Sequence, residues 1–294
     1  MKVRKAVIPV AGFGTRFLPA TKTIPKGMIP VVDKPIILYI VESAVASGIE
    51  HITLVTSANC KPIEDFFDHN FELEARLRQT GKLALLEQVQ RLTSLAQFTY
   101  VRQTEPLGNG HAVLMARDVV GDEPFLMLWG DDILLGDPPV PRQLIDAAEQ
   151  LEAPVLAVRR VPPEQFDKYG MVSVDRMENR IGKARSIVEK PRREESPSDL
   201  AQIGGCVLTA DIFELLAETK EGTGGEIYLA DAMVRLMGQR DVYVCEFEGK
   251  RYDAGDKLDF LRATVELALT DPTLGARFRE YLQQLRVEEF EPSP

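Results

Sequence analysis

Two rhythms of apolar residues run along this chain: the short continuous run of a buried strand and the three- and four-residue spacing of a helix. Ala6 to Val10 is apolar without helical periodicity and leads into Gly12-Phe13-Gly14-Thr15-Arg16, which predicts a buried strand entering a tight glycine turn. Ile36 to Ser47 then has helical spacing and stops at Gly48, and Ile52 to Thr56 reads as a second buried strand. Strand, helix and strand in succession imply parallel pairing. Charges and leucines at helical intervals from Ile63 to Leu95 predict two or three helices, after which Phe98 to Val101 resumes the sheet. Another helix is expected after Gly110, and Pro124 to Trp129 reads as a central strand, apolar at nearly every position as a sheet covered on both faces requires.

Beyond that strand the pattern changes. Val155 to Val158 and Cys206 to Leu208 read as strands, Tyr169 to Val174 as half of a hairpin, and Ile187 to Pro191 as a segment ended by proline. The second half is therefore expected to be more antiparallel. Arg192 to Asp199 reads as a charged, proline-bearing connection, and Asp211 to Thr219 as a capped helix. Ile227 to Met237 is expected to be a helix, Val242 to Phe247 a strand, Arg251 to Lys257 a polar loop, and Leu258 to Leu285 a helical tail. No internal repeat or low-complexity linker interrupts the chain. The expected class is α/β, with a mixed, mostly parallel sheet flanked by helices.

Composition narrows the function. The 294 residues, 45% hydrophobic, supply an ample core, and the net charge of −10 argues against nucleic acid or an anionic membrane as partner. Basic residues gathered within an acidic chain instead suit a small anionic ligand. Cys60, Cys206 and Cys245 show no paired metal-ligand spacing and read as buried thiols in a reducing compartment. The basic start, Met1 to Lys5, is followed by an apolar stretch broken at Pro9 and Gly12, too short for a signal peptide, and no apolar run is long enough to span a bilayer. The expectation is a cytoplasmic protein.

Candidate chemistry centres on the first glycine turn. Glycines let a phosphate approach backbone N–H groups, and Arg16, Lys22 and Lys26 supply positive charge nearby. Neither common phosphate loop fits: the dinucleotide fingerprint wants glycine where Phe17 stands, and the P-loop wants Gly-Lys-Ser/Thr. Asp33 lies where a ribose-binding acid would, but Val32-Asp33-Lys34-Pro35 reads as a loop, so Asp33 is set aside. Asp131 and Asp132 follow the central strand, where ligands of open α/β sheets bind, and carboxylate oxygens suit a hard cation such as Mg2+. Two more polar clusters, Glu189-Lys190-Pro191 and Asp253-Ala254-Gly255-Asp256, complete the inventory. With three histidines and no nucleophile elbow, a triad mechanism has no support. The combination is the one that phosphoryl or nucleotidyl transfer needs.

At these residues the chain resembles a known family. Ala11 to Arg16, Pro25-Lys26, Pro106-Leu107-Gly108, Gly130-Asp131-Asp132, Glu189-Lys190-Pro191 and Gly224-Gly225-Glu226-Ile227 are similar, in this order, to motifs of the bacterial UTP–glucose-1-phosphate uridylyltransferases, with a Rossmann-like nucleotide-diphospho-sugar transferase fold. Arg16 to Lys22, Val101-Arg102-Gln103 and Phe247 to Asp253 favour that family over thymidylyltransferases. The resemblance implies that Ala11, Gly12, Gly14, Thr15, Gln103, Gly108 and Asp131 bind the nucleotide, and that Arg16, Lys26 and Lys190 act on phosphates. It implies Gly170, Glu189, Gly204 and Glu226 around the sugar, and Asp131 with Asp253 on Mg2+. It further implies UTP and glucose 1-phosphate as substrates and a homodimer or homotetramer. Residues 1–257 would form the catalytic domain, nucleotide-binding to about 135 and sugar-binding from about 136, with 258–294 a helical segment open to a subunit contact. Three departures stand out: Gly27 for the usual glutamate, Asn109 for leucine and Gly205-Cys206 for arginine-tyrosine. The alternatives are a thymidylyltransferase, a uridylyltransferase for another hexose 1-phosphate, or a non-catalytic nucleotide-sugar-binding regulator.

Overall fold

The structure, a computed structural model, describes residues 1–286. Its strands are β1 (Lys5–Pro9), β2 (Pro30–Val31), β3 (Lys34–Pro35), β4 (His51–Thr56), β5 (Gln97–Arg102), β6 (Phe125–Met127), β7 (Asp132–Leu135), β8 (Val155–Arg160), β9 (Gly170–Glu178), β10 (Ile181–Glu189), β11 (Leu200–Leu208), β12 (Tyr243–Glu246) and β13 (Lys250–Asp253). Its helices are α1 (Ile36–Ala46), α2 (Lys61–Phe67), α3 (Phe71–Gln79), α4 (Leu83–Thr93), α5 (Asn109–Leu114), α6 (Arg117–Val120), α7 (Val140–Leu151), α8 (Ile212–Ala217), α9 (Leu229–Met237), α10 (Lys257–Thr270) and α11 (Gly275–Gln284).

Nine strands form one sheet in the order β5-β4-β1-β6-β11-β8-β12-β10-β9. The first four are parallel, and β11 enters antiparallel to both β6 and β8, so the sheet is mixed. The chain leaves β1 to one side for β4 and β5 and returns to the other side at β6, which puts a topological switch point at the carboxyl ends of β1 and β6. Strands from before and after residue 135 share this one sheet.

Burial explains why the central strands lack alternation. Ala6 and Ile8 point into one apolar cluster and Val7 into the other; Leu126 joins the first, Phe125 and Met127 the second. Helices α1 and α7 cover the first face, α5, α8 and α9 the second. The Phe125 and Phe213 rings stack at 5.2 Å in the second layer. The polar turn at Asp33 joins the two short strands β2 and β3, in keeping with the loop expected there.

Several boundaries differ from the sequence reading. Arg251 to Asp253, expected in a loop, belongs to β13, which pairs antiparallel with β7 in a separate ribbon. Backbone pairing with a strand remote in sequence leaves no local signal there. The helical tail breaks at Asp271, whose carboxylate accepts from the Thr273 and Leu274 amides at 2.7 and 2.8 Å. The Asp211 carboxylate does not cap α8; it accepts from Thr209 and from Arg240 at 3.1 Å. Arg192 to Asp199 includes a short 3-10 turn at Arg193–Glu195. The final part of the 258–294 segment, beyond 286, lies outside the described residues.

Candidate active site

At the end of β1 the Val10 amide donates to Val55 O at 2.9 Å, after which the chain leaves the sheet. The Thr21 hydroxyl donates to Gly14 O at 2.8 Å and folds the 14–22 segment back on itself, with Lys26 just beyond. Lys26 Nζ forms an ion pair with Asp131 Oδ2 at the end of β6. Asp131 and Asp253 meet because the β7/β13 ribbon rises from the sheet in register, Asp132 opposite Asp253. The Ala254 amide then donates to Asp131 O at 2.8 Å, locking the two turns together.

Gly255 sits between these groups. A Cβ built on it would lie 2.9 Å from Asp131 Oδ2, 2.9 Å from Asp253 Oδ1 and 3.1 Å from Arg16 Nη2. Only glycine allows two carboxylates and a guanidinium to approach this closely. Asp132 serves differently from its neighbour. It is 3% exposed, accepts from Arg251 through Oδ1, and takes the Gly204 amide on Oδ2 at 3.2 Å. Burial pushes its carboxyl up to about 6, with Arg251 opposing. Burial also disfavours charge on Arg251, but the Asp132 carboxylate outweighs it and raises the guanidinium. Arg251 also donates to the Tyr169 hydroxyl at 3.0 Å and stands 3.6 Å from Asp253 Oδ2, so one buried cation ties the ribbon to the segment before β9.

Two cavities open from this junction. One, of about 440 Å3, is lined by Ala11, Gly12, Lys26, Gln103, Gly108 and Asp131. The other, of about 280 Å3, is lined by Arg16, Asp131, Asp253, Gly170, Glu189 and Lys190. They share Asn109, Trp129 and Asp131. Gly170 faces Glu189 across β9 and β10, and the next residue, Lys190, takes a left-handed backbone (φ 47°) as its amide donates to Tyr169 O at 3.0 Å. Burial pushes the Glu189 carboxyl above its usual range, Lys190 draws it back and Asp231 adds to the rise.

Not every residue singled out from sequence arrives at the same place. Glu226 borders the first cavity beside Gly108, since the Ile227 amide donates to Leu107 O at 2.8 Å and stitches the two loops. Thr15 lines an adjoining cavity with Lys22 and Cys60, and Gly14 packs against Thr21 and Lys26. Gly204 is buried beneath Asp132 and lines neither of the two joined cavities. Two of the three departures have local reasons. Asn109 Oδ1 accepts from the Leu229 amide at 2.9 Å and so caps α9. Gly205 lies in a bulge of β11 at φ 108°, where a Cβ would stand 2.4 Å from Met127 O, which excludes an arginine. Gly27 is buried, and a Cβ there would meet Ile63 and Ile37 at 3.5 and 3.6 Å. Arg251, Tyr169, Gly255 and His111 were given no site role from the sequence.

Among the described residues no group of three His, Cys, Asp or Glu side chains forms a metal cluster. The paired carboxylates of Asp131 and Asp253 suit a cation that takes one or two protein oxygens and the rest from phosphates and water, the usual habit of Mg2+. The three cysteines are buried, and burial raises the Cys206 and Cys245 thiols, so neither of these two is poised as a nucleophile.

This geometry has known counterparts. Residues 5–269 match the family model described as nucleotidyl transferase. The chain belongs to the nucleotidyl transferase family. This nucleotidyl transferase is 46% identical over 288 residues to the UTP–glucose-1-phosphate uridylyltransferase of Bacillus subtilis (strain 168), covering 98% of this chain and 99% of the relative. Its fold matches a UTP-bound UGPase from Acinetobacter baumannii with a TM-score of 0.90 at 39% identity, over 97% of this chain and 100% of the other. A UDP-glucose pyrophosphorylase complexed with UDP-glucose matches with a TM-score of 0.83 at 37% identity, over 90% of this chain and 98% of the other. The family resemblance read from the motifs is borne out. Among the described residues no helix is long and apolar enough to cross a membrane.

Proposed function

We propose that this nucleotidyl transferase makes UDP-glucose and pyrophosphate from UTP and glucose 1-phosphate. The observation that carries the reading is the junction of two cavities at which Arg16, Lys26, Asp131 and Asp253 converge, with Lys190 on the sugar side. A phosphate oxygen of glucose 1-phosphate attacks the α-phosphorus of UTP; a new P–O bond forms as the bond to the β-phosphate bridge breaks, and pyrophosphate leaves. Arg16 and Lys26 hold the triphosphate, and Lys190 holds the sugar phosphate, which offsets the repulsion between two anions. Ala11, Gly12, Gln103 and Gly108 enclose the base. Glu189 accepts hydrogen bonds from sugar hydroxyls across from Gly170, and Glu226 stands in the wall of the first cavity beside Gly108. A divalent ion held by Asp131 and Asp253 would supply further charge neutralisation on the phosphate oxygens.

The protein is read as cytoplasmic, consistent with three buried free thiols. Exposed Leu258, Leu261 and Val265 recur on one side of α10 and favour a subunit contact there, in a dimer or tetramer. Incubation with UTP, Mg2+ and glucose 1-phosphate tests the reading. Pyrophosphate release supports it; tight UDP-glucose binding without release establishes a binding protein instead.

A further inference from the structure

We propose that His111 is a positioning residue: it turns the Gln103 side chain so that the amide oxygen, not the NH2 group, faces the nucleotide base. The inference rests on the nucleotide reading of the larger joined cavity. Gln103 follows β5, held by its own amide, which donates to Thr56 O at 2.8 Å, and its side chain is 8% exposed. Gln103 Nε2 lies 3.1 Å from Gly108 O and 3.1 Å from His111 Nδ1.

These two contacts settle the roles. A carbonyl oxygen can only accept, so the atom facing Gly108 O is the NH2 nitrogen and the amide is not reversed. Its second proton meets Nδ1, which must then carry a lone pair, and the imidazole is the neutral Nε2–H tautomer. Both N–H bonds are spent on the protein. Oε1 is left as an acceptor in a wall it shares with Ala11 and Gly12, and no donor among the described residues is bonded to it. Gly108 O alone holds the amide weakly, because it also accepts the Ala112 amide of α5 at 3.2 Å. His111 stands one turn into the same helix, whose start is fixed when the Gly110 amide donates to Ile227 O at 2.9 Å.

A fixed acceptor selects a base that presents a ring N–H. Uracil does so at N3; cytosine presents a lone pair there and is repelled. A site that fixes such an acceptor rejects a mismatched partner more strongly than shape alone can.

The test measures kcat and KM for UTP and for CTP with saturating glucose 1-phosphate, and KM for glucose 1-phosphate with saturating UTP, in the wild type, H111F and H111N. Phenylalanine removes the acceptor; asparagine places Oδ1 near the position of Nδ1. H111F is expected to raise KM for UTP roughly five- to tenfold and to lower the UTP-over-CTP ratio of kcat/KM by a similar factor, with kcat and the KM for glucose 1-phosphate within about twofold. H111N is expected to recover most of the loss. Equal damage in H111N and H111F, an unchanged UTP-over-CTP ratio, or a loss confined to kcat would each overturn the proposal. In the wild-type protein, nitrogen NMR of the imidazole must find His111 Nδ1 unprotonated, and a protonated Nδ1 in the neutral ring overturns the proposal without any variant. If the wild type turns over no UTP, the functional reading fails; if it does and the variants do not separate, only the role of His111 fails.

Discussion

Replacing Gly255 by alanine probes the catalytic junction with one methyl group. The added carbon would stand 2.9 Å from an oxygen of each carboxylate, Asp131 and Asp253, where ordinary contact begins at 3.4 Å. Each carboxylate, or the turn that carries Gly255, must therefore give way by about half an ångström. The backbone of Gly255 lies outside the left-handed region, so alanine introduces no torsional strain and the fold should persist. A misplacement of about 1 Å costs on the order of 100-fold in rate, so half that shift predicts roughly a tenfold fall in kcat. Octahedral ligation of Mg2+ is similarly intolerant, and half-saturation should move to about severalfold higher Mg2+. The assay is pyrophosphate release across a Mg2+ series at saturating UTP and glucose 1-phosphate, beside thermal unfolding and UTP binding without metal. Both controls should match the wild type. A folded G255A with normal kcat and normal Mg2+ dependence would mean that Asp131 and Asp253 do not act together, and the mechanism would fall.

Three further outcomes follow from the same geometry. Lys190→Ala should raise KM for glucose 1-phosphate about tenfold or more, the loss of one charged contact, while KM for UTP stays within about twofold; equal loss of both would count against its placement on the sugar side. Because burial raises the Glu189 carboxyl, it takes up its proton at a higher pH than an exposed glutamate and loses acceptor strength on acidification, so KM for glucose 1-phosphate should climb as pH falls; an E189Q profile as steep as the wild type's would refute this. Arg251→Met leaves Asp132 buried without its cation, and urea unfolding should register a loss of about 3 kcal/mol, partly recovered in D132N/R251M; a single variant within about 1 kcal/mol of wild type would show that the pair is energetically idle.

Much of the fold was legible because burial leaves a periodic trace. β1 and β6 read as unbroken apolar runs since Val7 and Met127 serve one core and Ala6 and Leu126 the other. Helix α1 ends at Ala46 with Ser47 as its cap, just before the Gly48 that marks its stop in the sequence. What stayed hidden was pairing between distant segments. β13 has four residues, mostly polar, and is a strand only because β7 lies beside it, so its sequence looked like a loop. The break after α10 was missed for the opposite reason: leucine spacing carries on through it, while the interruption depends on the Asp271 carboxylate turning back to two amides.

The site divides along the same line. The charged residues that line the junction, Arg16, Lys26, Asp131, Lys190 and Asp253, announce themselves by charge within two residues of a glycine or proline. Those that hold them do not, because each acts through a partner far along the chain. Asp131 and Asp132 are adjacent and chemically identical, yet one faces Lys26 at the junction and the other is sealed against Arg251 and the Gly204 amide. Asp131 lies in the turn before β7 while Asp132 is the first residue of its ladder and is sealed by Arg251, so the doubled aspartate does not supply two equivalent groups. The second carboxylate at the junction comes from the end of β13, where the Ala254 amide bonds to Asp131 O and Gly255 lets the Asp131 and Asp253 side chains approach. In this geometry the buried Arg251–Asp132 pair is what keeps the register of Asp132 opposite Asp253, and Gly255 is what leaves the junction open.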